Sequence, residues 1–307
     1  MGERITLGIS ACLTGAPVRY DGGDRLDPYL INTWGRNVDF LPLCPEAGAG
    51  LGVPREPMRL TDENGVKKAV GIESGLDRAG PIRAWSEKMA EELAGKDLHG
   101  LILKSKSPSC AGDNLAGGGT ATGIFRDVFS SRFPLAPVAT DKEIQDHYHR
   151  DLFVSRIFLL KRWRDAHALG MDRHRLIEYH TTNKLWFLAH SPETYRLMGR
   201  VLADPQARSF GERTALYQKE LLNLLRHRAT ETSHANVLHH VAGYFRRALG
   251  RDDRLELAEA IEGYKKGDLA LAVPLTLANH YARKTGIAFL GTQTYLHPHP
   301  LEIKLRS

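Results

Sequence analysis

Short apolar segments separated by turn residues dominate the first part of the chain, and each such segment predicts a buried β-strand. The predicted strands cover residues 5–9, 38–43, 98–103 and 133–138. Residues 80–93 carry apolar side chains at helical spacing and are followed by Gly95, which predicts a helix that ends there. Strands that alternate with helical segments are typical of an α/β domain with a parallel, doubly wound sheet.

The pattern changes near residue 140. Thr140 and Glu143 have the spacing of a capping box, which predicts the start of a long helix. Helical spacing of apolar residues predicts further helices over 172–190, 192–203, 211–229, 232–249, 253–266 and 268–285, with one short strand at 287–290. We therefore expect an α/β N-terminal domain over residues 1–141 and an all-α C-terminal domain over residues 142–307.

Charge divides the chain in the same way. Residues 1–140 hold 16 Lys+Arg and 17 Asp+Glu, a net charge of −1, whereas residues 141–307 hold 26 and 19, a net charge of +7. A basic helical domain favours binding to the phosphates of RNA, although the same charges also fit the solvated faces of ordinary helices. Interleaved aromatic residues favour stacking on unpaired bases. These aromatic residues are Trp163, Tyr179, Trp186, Tyr244 and Phe245.

Several classes of protein are excluded by what the chain lacks. No apolar run reaches the length of a membrane span, and no signal-peptide apolar segment precedes the first predicted strand. Three cysteines are too few for a disulfide framework. We therefore expect a cytoplasmic protein without a membrane partner, in which the cysteines are reduced.

Each cysteine follows a predicted strand. Cys12 follows the first strand, Cys44 the second and Cys110 the third. Loops after parallel strands gather at one edge of the sheet, where such folds bind ligands, so distant cysteines can share one site. Two interpretations stay open at this point: a shared metal or cluster, or three buried thiols that act as small apolar side chains.

The residues around the cysteines form three motifs. They are ISACLTG with VRYDGG within residues 9–23, CPE with GLGVPREP within residues 44–57, and KSPSC at residues 106–110. Together these motifs resemble the thiouracil desulfurase family over about the first 140 residues. One departure is Ala111, where the family usually has glycine.

This resemblance implies a [4Fe-4S] cluster held by Cys12, Cys44 and Cys110. Three protein ligands for four irons leave one iron open, and this iron acts as a Lewis acid on a soft thiocarbonyl sulfur while water attacks the carbon. By the same resemblance Glu46 is the acid/base catalyst and Ser107 is the catalytic hydroxyl. A salt bridge or a hydrogen bond within the loop is the structural alternative for Glu46.

Other polar residues of the motifs have lesser expected roles. Ser109 is a second candidate hydroxyl, ranked below Ser107, with a hydrogen bond within the turn as its alternative role. Arg19, Asp21 and Arg55 are candidate contacts to substrate or cluster sulfide, without a catalytic role.

The second half of the chain also resembles a known domain. The segments His180–Lys184, His234–Leu238 and Gln293–Leu296 resemble a domain of unknown function that is often fused behind desulfurase-like domains. Because a free base needs no basic domain whereas a nucleotide in RNA does, this arrangement favours a tRNA substrate.

The combined expectation is a [4Fe-4S]-dependent enzyme that hydrolyses a thiouridine in tRNA, with 4-thiouridine as the first candidate, to uridine and sulfide. The alternatives are a desulfurase of free thiouracil or thiouridine, and a non-catalytic iron–sulfur protein that binds RNA or acts as a sensor. The expected partner is thus a thiolated tRNA or a thiolated nucleobase. A three-cysteine site favours the enzyme, because structural metal sites are normally closed.

Overall fold

The computed structural model describes residues 5–63, 65–115, 119–204 and 209–306. The chain divides into two compact units, Met1–Lys161 with Leu301–Ser307, and Arg162–Pro300. No helix among the described residues is long and apolar enough to cross a membrane.

The first unit contains a four-stranded sheet and two hairpins. Its strands in chain order are β1 (Ile5–Ser10), β2 (Val38–Leu43), β3 (Met58–Glu63), β4 (Val66–Gly71), β5 (Leu98–Leu103), β6 (Gly112–Asn114), β7 (Thr120–Thr122) and β8 (Val138–Thr140). The main sheet has the order β2-β1-β5-β8 and is parallel throughout, whereas β3 pairs with β4 and β6 with β7 as antiparallel hairpins.

Helices account for most of the remaining structure. In chain order they are α1 (Pro45–Gly48), α2 (Ala79–Ala94), α3 (Ile124–Arg132), α4 (Asp141–Gln145), α5 (His147–Ala168), α6 (Arg173–Thr182), α7 (Lys184–His190), α8 (Pro192–Ala203), α9 (Phe210–Leu224), α10 (Glu231–Tyr244), α11 (Arg251–Lys266), α12 (Ala272–Thr285), α13 (Ala288–Gly291) and α14 (Pro300–Arg306). A 3₁₀ turn at Ala11–Thr14 and a π-helical turn at Leu30–Trp34 follow β1.

Both faces of the main sheet are covered, as a doubly wound fold requires. Successive residues of a strand point to opposite faces, and all six residues of β5 are buried. Leu101 of β5 packs in one cluster with Phe125 of α3, and Ile102 packs in another with Ile157 of α5. The predicted α/β domain is therefore confirmed.

The second unit is all-helical, which confirms the predicted change from an α/β fold to an all-α fold. Residues 162–204 and 209–300 contain no strand, and the predicted strand at 287–290 is wrong because these residues overlap α13. The predicted helix 172–190 is broken at Asn183, whose side-chain amide donates a 2.9 Å hydrogen bond to the carbonyl of Tyr179 and ends α6.

The compact units divide between Lys161 and Arg162, whereas the sequence predicted a boundary after residue 141. The first unit extends into α5 because Phe153 and Ile157 pack in the same core as β1. Near the end of the chain, the guanidinium of Arg306 donates to Asp151 of α5 and belongs to the same unit.

Four of the five aromatic residues assigned to base stacking are core residues, so that assignment is wrong for them. Trp163 and Phe245 are 0% exposed, Trp186 is 3% exposed and Tyr179 is 4% exposed. Trp163 stacks on the buried ring of Tyr217 at 5.4 Å. Rings buried in this way form the interior of the helical unit and have no face left for a nucleic acid base.

Candidate active site

The candidate site lies at the carboxyl edge of the parallel sheet. In the order β2-β1-β5-β8 the chain reverses its direction of winding between β1 and β5, which is where open α/β sheets bind ligands. Cys12 lies in the 3₁₀ turn directly after β1, and Cys44 directly follows β2. Cys110 lies in the loop between β5 and β6.

These loops bring all three cysteines to one cavity of about 300 Å³. The three thiols are free, with Cys12 and Cys110 buried and Cys44 partly exposed. Glu46 and Ser107, the candidate catalytic residues, line the same cavity. Four basic side chains complete its polar lining: Arg19, Arg55, Lys104 and Lys106.

Burial favours the neutral form of each thiol. It raises the pKa of Cys12 to about 11 and that of Cys110 to about 12, and it also raises the pKa of Cys44. The positive charges of Arg19 and Lys104 act in the opposite direction on Cys12 and so favour its thiolate. Binding of iron would therefore displace protons from these thiols.

Glu46 is positioned by α1, which starts immediately after Cys44. The sulfur of Cys44 caps this short helix by accepting a 3.5 Å hydrogen bond from the backbone N–H of Ala47. Gly48 allows the helix to lie against α2, because a Cβ at this position would come within 2.3 Å of the Trp85 indole. The carboxylate of Glu46 is thereby directed into the cavity.

Arg55 holds one oxygen of the Glu46 carboxylate. Its Nε donates a 2.7 Å hydrogen bond to Glu46 Oε2, and its Nη2 donates to the same oxygen. Nη2 also donates a 2.9 Å bond to the carbonyl of Val18. The side chains of Arg55 and Glu46 are only 7% and 13% exposed, so the pair is shielded from water.

Ser109, rather than Ser107, holds the other oxygen. Ser109 Oγ donates a 2.5 Å hydrogen bond to Glu46 Oε1 and lies 3.2 Å from Ser107 Oγ. Ser107 Oγ in turn accepts a 3.3 Å bond from the backbone N–H of Cys110. The two serines therefore form a short chain from Glu46 to the Cys110 loop, in which Ser109 is fully buried and Ser107 lines the cavity.

A second ion pair fixes the start of the Cys110 loop. Lys104 Nζ lies 2.7 Å from Asp141 Oδ2, and the backbone N–H of Ser105 donates a 2.7 Å bond to Asp141 Oδ1. Burial alone would raise the pKa of Asp141, but the hydrogen bonds from Lys104 and Ser105 lower it below its usual value. The backbone N–H of Lys104 also donates to Ser10 Oγ at 2.9 Å, which ties the ends of β5 and β1 together.

Of the other two candidate contacts, Arg19 lies in the cavity lining and Asp21 does not. Arg19 lines the cavity and its Nε lies 3.4 Å from Asp21 Oδ1. Asp21 itself is outside the cavity lining, and nearly half of its side chain is exposed. Sequence reasoning passed over Lys104 and Asp141. Their position in the sequence could have indicated them. Like Cys12 and Cys44, Lys104 and Asp141 directly follow the ends of parallel strands, where such folds bind ligands.

A single metal ion and an iron–sulfur cluster require different arrangements of their protein ligands. Among the residues that the structure describes, no group of three or more His, Cys, Asp or Glu side chains converges to hold a single metal ion. In a [4Fe-4S] cluster each thiolate binds a different iron, so the sulfurs surround the cluster and need not meet at one point. Three free thiols around one cavity with basic side chains fit such an anionic cluster.

Fold and site together define a two-unit protein with an α/β unit, a three-cysteine cavity at its sheet edge, and a helical unit. Residues 7–141 match the 2-thiouracil desulfurase family, and residues 184–300 match DUF1722, a family of proteins of unknown function. The chain therefore has a 2-thiouracil desulfurase domain at its N-terminus and a DUF1722 domain at its C-terminus.

Two individual proteins are similar to this chain. The uncharacterized protein YbgA of Escherichia coli K12 is 36% identical over 157 residues, which cover 51% of this chain and 93% of YbgA. The solved structure of a [4Fe-4S]-dependent thiouracil desulfidase, TudS, aligns with 46% of this chain and 94% of its own length, at 27% identity and a TM-score of 0.38.

Proposed function

We propose that this protein is a [4Fe-4S]-dependent desulfidase that converts a thiouridine in tRNA, with 4-thiouridine as the first candidate, to uridine and sulfide. The observation that carries the proposal is the cavity in which Cys12, Cys44 and Cys110 meet Glu46. Membership of residues 7–141 in the 2-thiouracil desulfurase family supports removal of sulfur from a thiolated pyrimidine.

Cys12, Cys44 and Cys110 would hold the cluster. When bound by three thiolates, it supplies one iron without a protein ligand, a Lewis acid suited to the soft sulfur of a thiocarbonyl group. Lys104 and Arg19 offset the negative charge of the thiolates, in line with their effect on the pKa of Cys12.

The proposed reaction replaces the sulfur of a C=S group by the oxygen of water. A C–O bond forms, the C–S bond breaks, and both protons of water leave with the sulfur, so no electrons are transferred. Glu46 would take a proton from the attacking water and return it to the departing sulfur. Arg55 and Ser109 hold its two oxygens in a fixed orientation for this transfer.

Ser107 is the hydroxyl that reaches the cavity itself. Its Oγ accepts from the backbone N–H of Cys110 and neighbours Ser109, so its position is fixed from both sides. We assign Ser107 to the orientation of substrate or water, and Ser109 to the orientation of Glu46. This division of roles follows from the contacts that each hydroxyl makes.

The charge of the helical unit supports an RNA substrate. Residues 162–300 hold 20 Lys+Arg and 14 Asp+Glu, a net charge of +6, which equals the net charge of the whole chain. A polyanion would therefore be attracted to this unit, where each contacted phosphate releases condensed counterions.

A free thiolated base is the second candidate substrate. The family that residues 7–141 match is named for such a free base, 2-thiouracil, which supports this candidate. The two candidates are distinguished by their dependence on the helical unit, because a free base carries no phosphates for it to bind.

The experiment compares both substrates with the same enzyme. Full-length protein is reconstituted with iron and sulfide under anaerobic conditions, and release of sulfide is measured from thiolated tRNA and from free thiouracil. The proposal predicts cluster-dependent release from tRNA at the higher kcat/KM. A higher kcat/KM on thiouracil selects the free-base desulfurase, and no release from either substrate by cluster-loaded protein contradicts the enzymatic function.

A further inference from the structure

A contiguous aromatic and cationic surface lies on the helical unit. Lys184, the first residue of α7, has its Nζ 5.5 Å from the ring centroid of Phe289 in α13. The Phe289 ring stacks on Tyr244 of α10, with centroids 5.3 Å apart and an angle of 27° between the planes. His240 meets the edge of Tyr244 at 5.4 Å. We call these four residues the Lys184 surface.

All four side chains remain accessible. His240 is exposed, and Lys184, Tyr244 and Phe289 are each partly exposed. This distinguishes Tyr244 from the four core aromatic residues discussed above. The rings of Tyr244 and Phe289 support each other and still present part of their surface to the outside.

Within residues 162–204 and 209–300, neither Lys184 nor His240 has a carboxylate at ion-pair distance. Burial lowers the pKa of His240, and the nearby positive charge of Lys184 lowers it further. The surface thus joins one positive charge to a neutral imidazole and two aromatic rings. No negative charge neutralises Lys184 within this part of the chain.

A second lysine and a second histidine of the helical unit differ from Lys184 and His240 because each is paired with a carboxylate. Lys284 also lies over an aromatic ring, 5.7 Å from Tyr281, but its Nζ is paired with Asp253 at 2.8 Å. His239, adjacent to His240 in the sequence, has its Nε2 3.0 Å from Glu262. Among the described residues of the helical unit, Lys284 lies over an aromatic ring and is paired with a carboxylate, whereas Lys184 lies over a ring without one.

Lys184 has no carboxylate partner in the described part of the helical unit and lies beside accessible aromatic rings. Such a surface can bind both the phosphate and the base of an unpaired nucleotide. The ammonium group neutralises a phosphate, and an aromatic ring stacks on the base whatever its identity. An acidic protein partner would use the charge of Lys184 but would have no need of the accessible rings. The net charge of +6 on residues 162–300 adds long-range attraction to a polyanion.

We propose that the Lys184 surface binds an unpaired nucleotide of the RNA substrate, with Lys184 at the phosphate and Tyr244 stacked on the base. This inference rests on the proposed function for the choice of RNA as the partner. It assigns base stacking to an accessible residue, and it defines a binding site in the DUF1722 part of the chain.

The test measures binding of unmodified tRNA to full-length protein by fluorescence anisotropy over a salt series. Lys184→Ala removes a phosphate contact, so the slope of log K against log salt decreases by about 1. Tyr244→Leu removes the stacking ring, so affinity falls on the order of tenfold at every salt concentration with an unchanged slope. Tyr244→Phe keeps the ring and binds like wild type.

Lys284→Ala is the matched control, since Lys284 lies over a ring but is already paired with Asp253. We expect it to leave both the slope and the affinity unchanged. An equal effect of Lys184→Ala and Lys284→Ala would overturn the inference, as would wild-type binding by Tyr244→Leu. Equal unfolding temperatures of all variants verify that the fold is retained.

Because unmodified tRNA contains no sulfur to remove, this test is independent of desulfidase activity. If the protein releases no sulfide from any substrate but its tRNA binding depends on Lys184 and Tyr244, the inference holds and the proposed function fails. If it desulfurates thiolated tRNA and neither variant alters binding, the proposed function holds and the inference fails.

Discussion

Ser109 Oγ donates a 2.5 Å hydrogen bond to Glu46 Oε1 across 63 positions of the chain. This contact joins the second cysteine motif to the third, because Glu46 follows Cys44 and Ser109 precedes Cys110. It leaves the carboxylate with one oxygen on a serine and the other on Arg55. The predicted acid/base residue is therefore held from both sides before any substrate binds.

Glu46→Gln should abolish proton transfer while it retains the shape of the site. The amide oxygen of glutamine can still accept from Ser109, but the side chain cannot take up a proton. We expect kcat to fall on the order of 10²-fold or more, with unchanged iron content. Steady-state kinetics and iron analysis of the reconstituted variant are the measurements.

Glu56→Gln is the control for this change, since Glu56 belongs to the same motif but accepts hydrogen bonds from Ser74 outside the cysteine cavity. We expect it to turn over at the wild-type rate. A Glu46→Gln variant with normal kcat and a full cluster would show that Glu46 has only a structural role.

The two serines should give different kinetic effects when each is replaced by alanine. Ser107 lines the cavity, so Ser107→Ala should lower kcat on the order of 10²-fold. Ser109 contacts Glu46 but does not itself line the cavity, so Ser109→Ala should lower kcat by about tenfold without a change in KM. Equal loss in both variants, or a raised KM in Ser109→Ala, would contradict this division of roles.

Any one of the changes Cys12→Ala, Cys44→Ala and Cys110→Ala should remove the cluster and the activity together. The chain has three cysteines in all, so no other thiolate can take the place of the missing ligand. Iron and acid-labile sulfide per chain, with the visible absorption of the anaerobic protein, provide the measurement. A variant that retains about four irons per chain would exclude that cysteine as a ligand.

The stability of the helical unit should depend on pH through His180. Burial, and then the charge of Lys184, lower the pKa of His180 to about 4 from 6.5. The unfolded chain therefore binds a proton at a higher pH than the folded one. The stabilising contribution is fully present above pH 6.5 and is lost as the pH falls toward 4.

The corresponding loss is about 2 kcal/mol of unfolding free energy between pH 7 and pH 5. His180→Gln, which can still bond to the Tyr217 hydroxyl, should lack this part of the pH dependence in urea unfolding. His239→Gln, at an exposed histidine paired with Glu262, should retain it. The same pH dependence in wild type and His180→Gln would contradict the assignment.

The salt concentration should affect the binding of the two candidate substrates differently. If the basic helical unit binds RNA, affinity for thiolated tRNA must fall on the order of tenfold or more between 50 mM and 200 mM salt. The KM for free thiouracil should change by less than about twofold over the same range, because it carries no phosphate. A parallel response of the two substrates would favour the free-base desulfurase.

Local sequence patterns predicted the parts of the fold that depend on local interactions. Three parallel strands were predicted because each is a short, mostly apolar run. β1 and β5 are buried on both faces, whereas the edge strand β2 is exposed at Asp39 and Pro42. The capping box at Thr140 is present, with Thr140 Oγ1 accepting from the Glu143 N–H at 3.1 Å. The helix it starts is nevertheless short, because Asp146 accepts from the backbone N–H groups of Tyr148 and His149 and starts a new helix.

Contacts between distant residues could not be predicted in the same way. Ser109 was ranked below Ser107 because its contact with Glu46 depends on how two loops meet in space. Likewise, aromatic residues at helical spacing look alike whether they face the core or the outside. Burial divides them, with Trp163 in the core and Tyr244 on the Lys184 surface.

We propose that the three-cysteine cavity supports cluster-dependent hydrolysis of a C=S group. The direct test is turnover of thiolated tRNA by cluster-loaded protein in ¹⁸O-water without a reductant. We expect one sulfide released per uridine formed, one ¹⁸O atom in each uridine, and no turnover by iron-free protein. Unlabelled uridine, a requirement for a reductant, or full turnover by iron-free protein would contradict it.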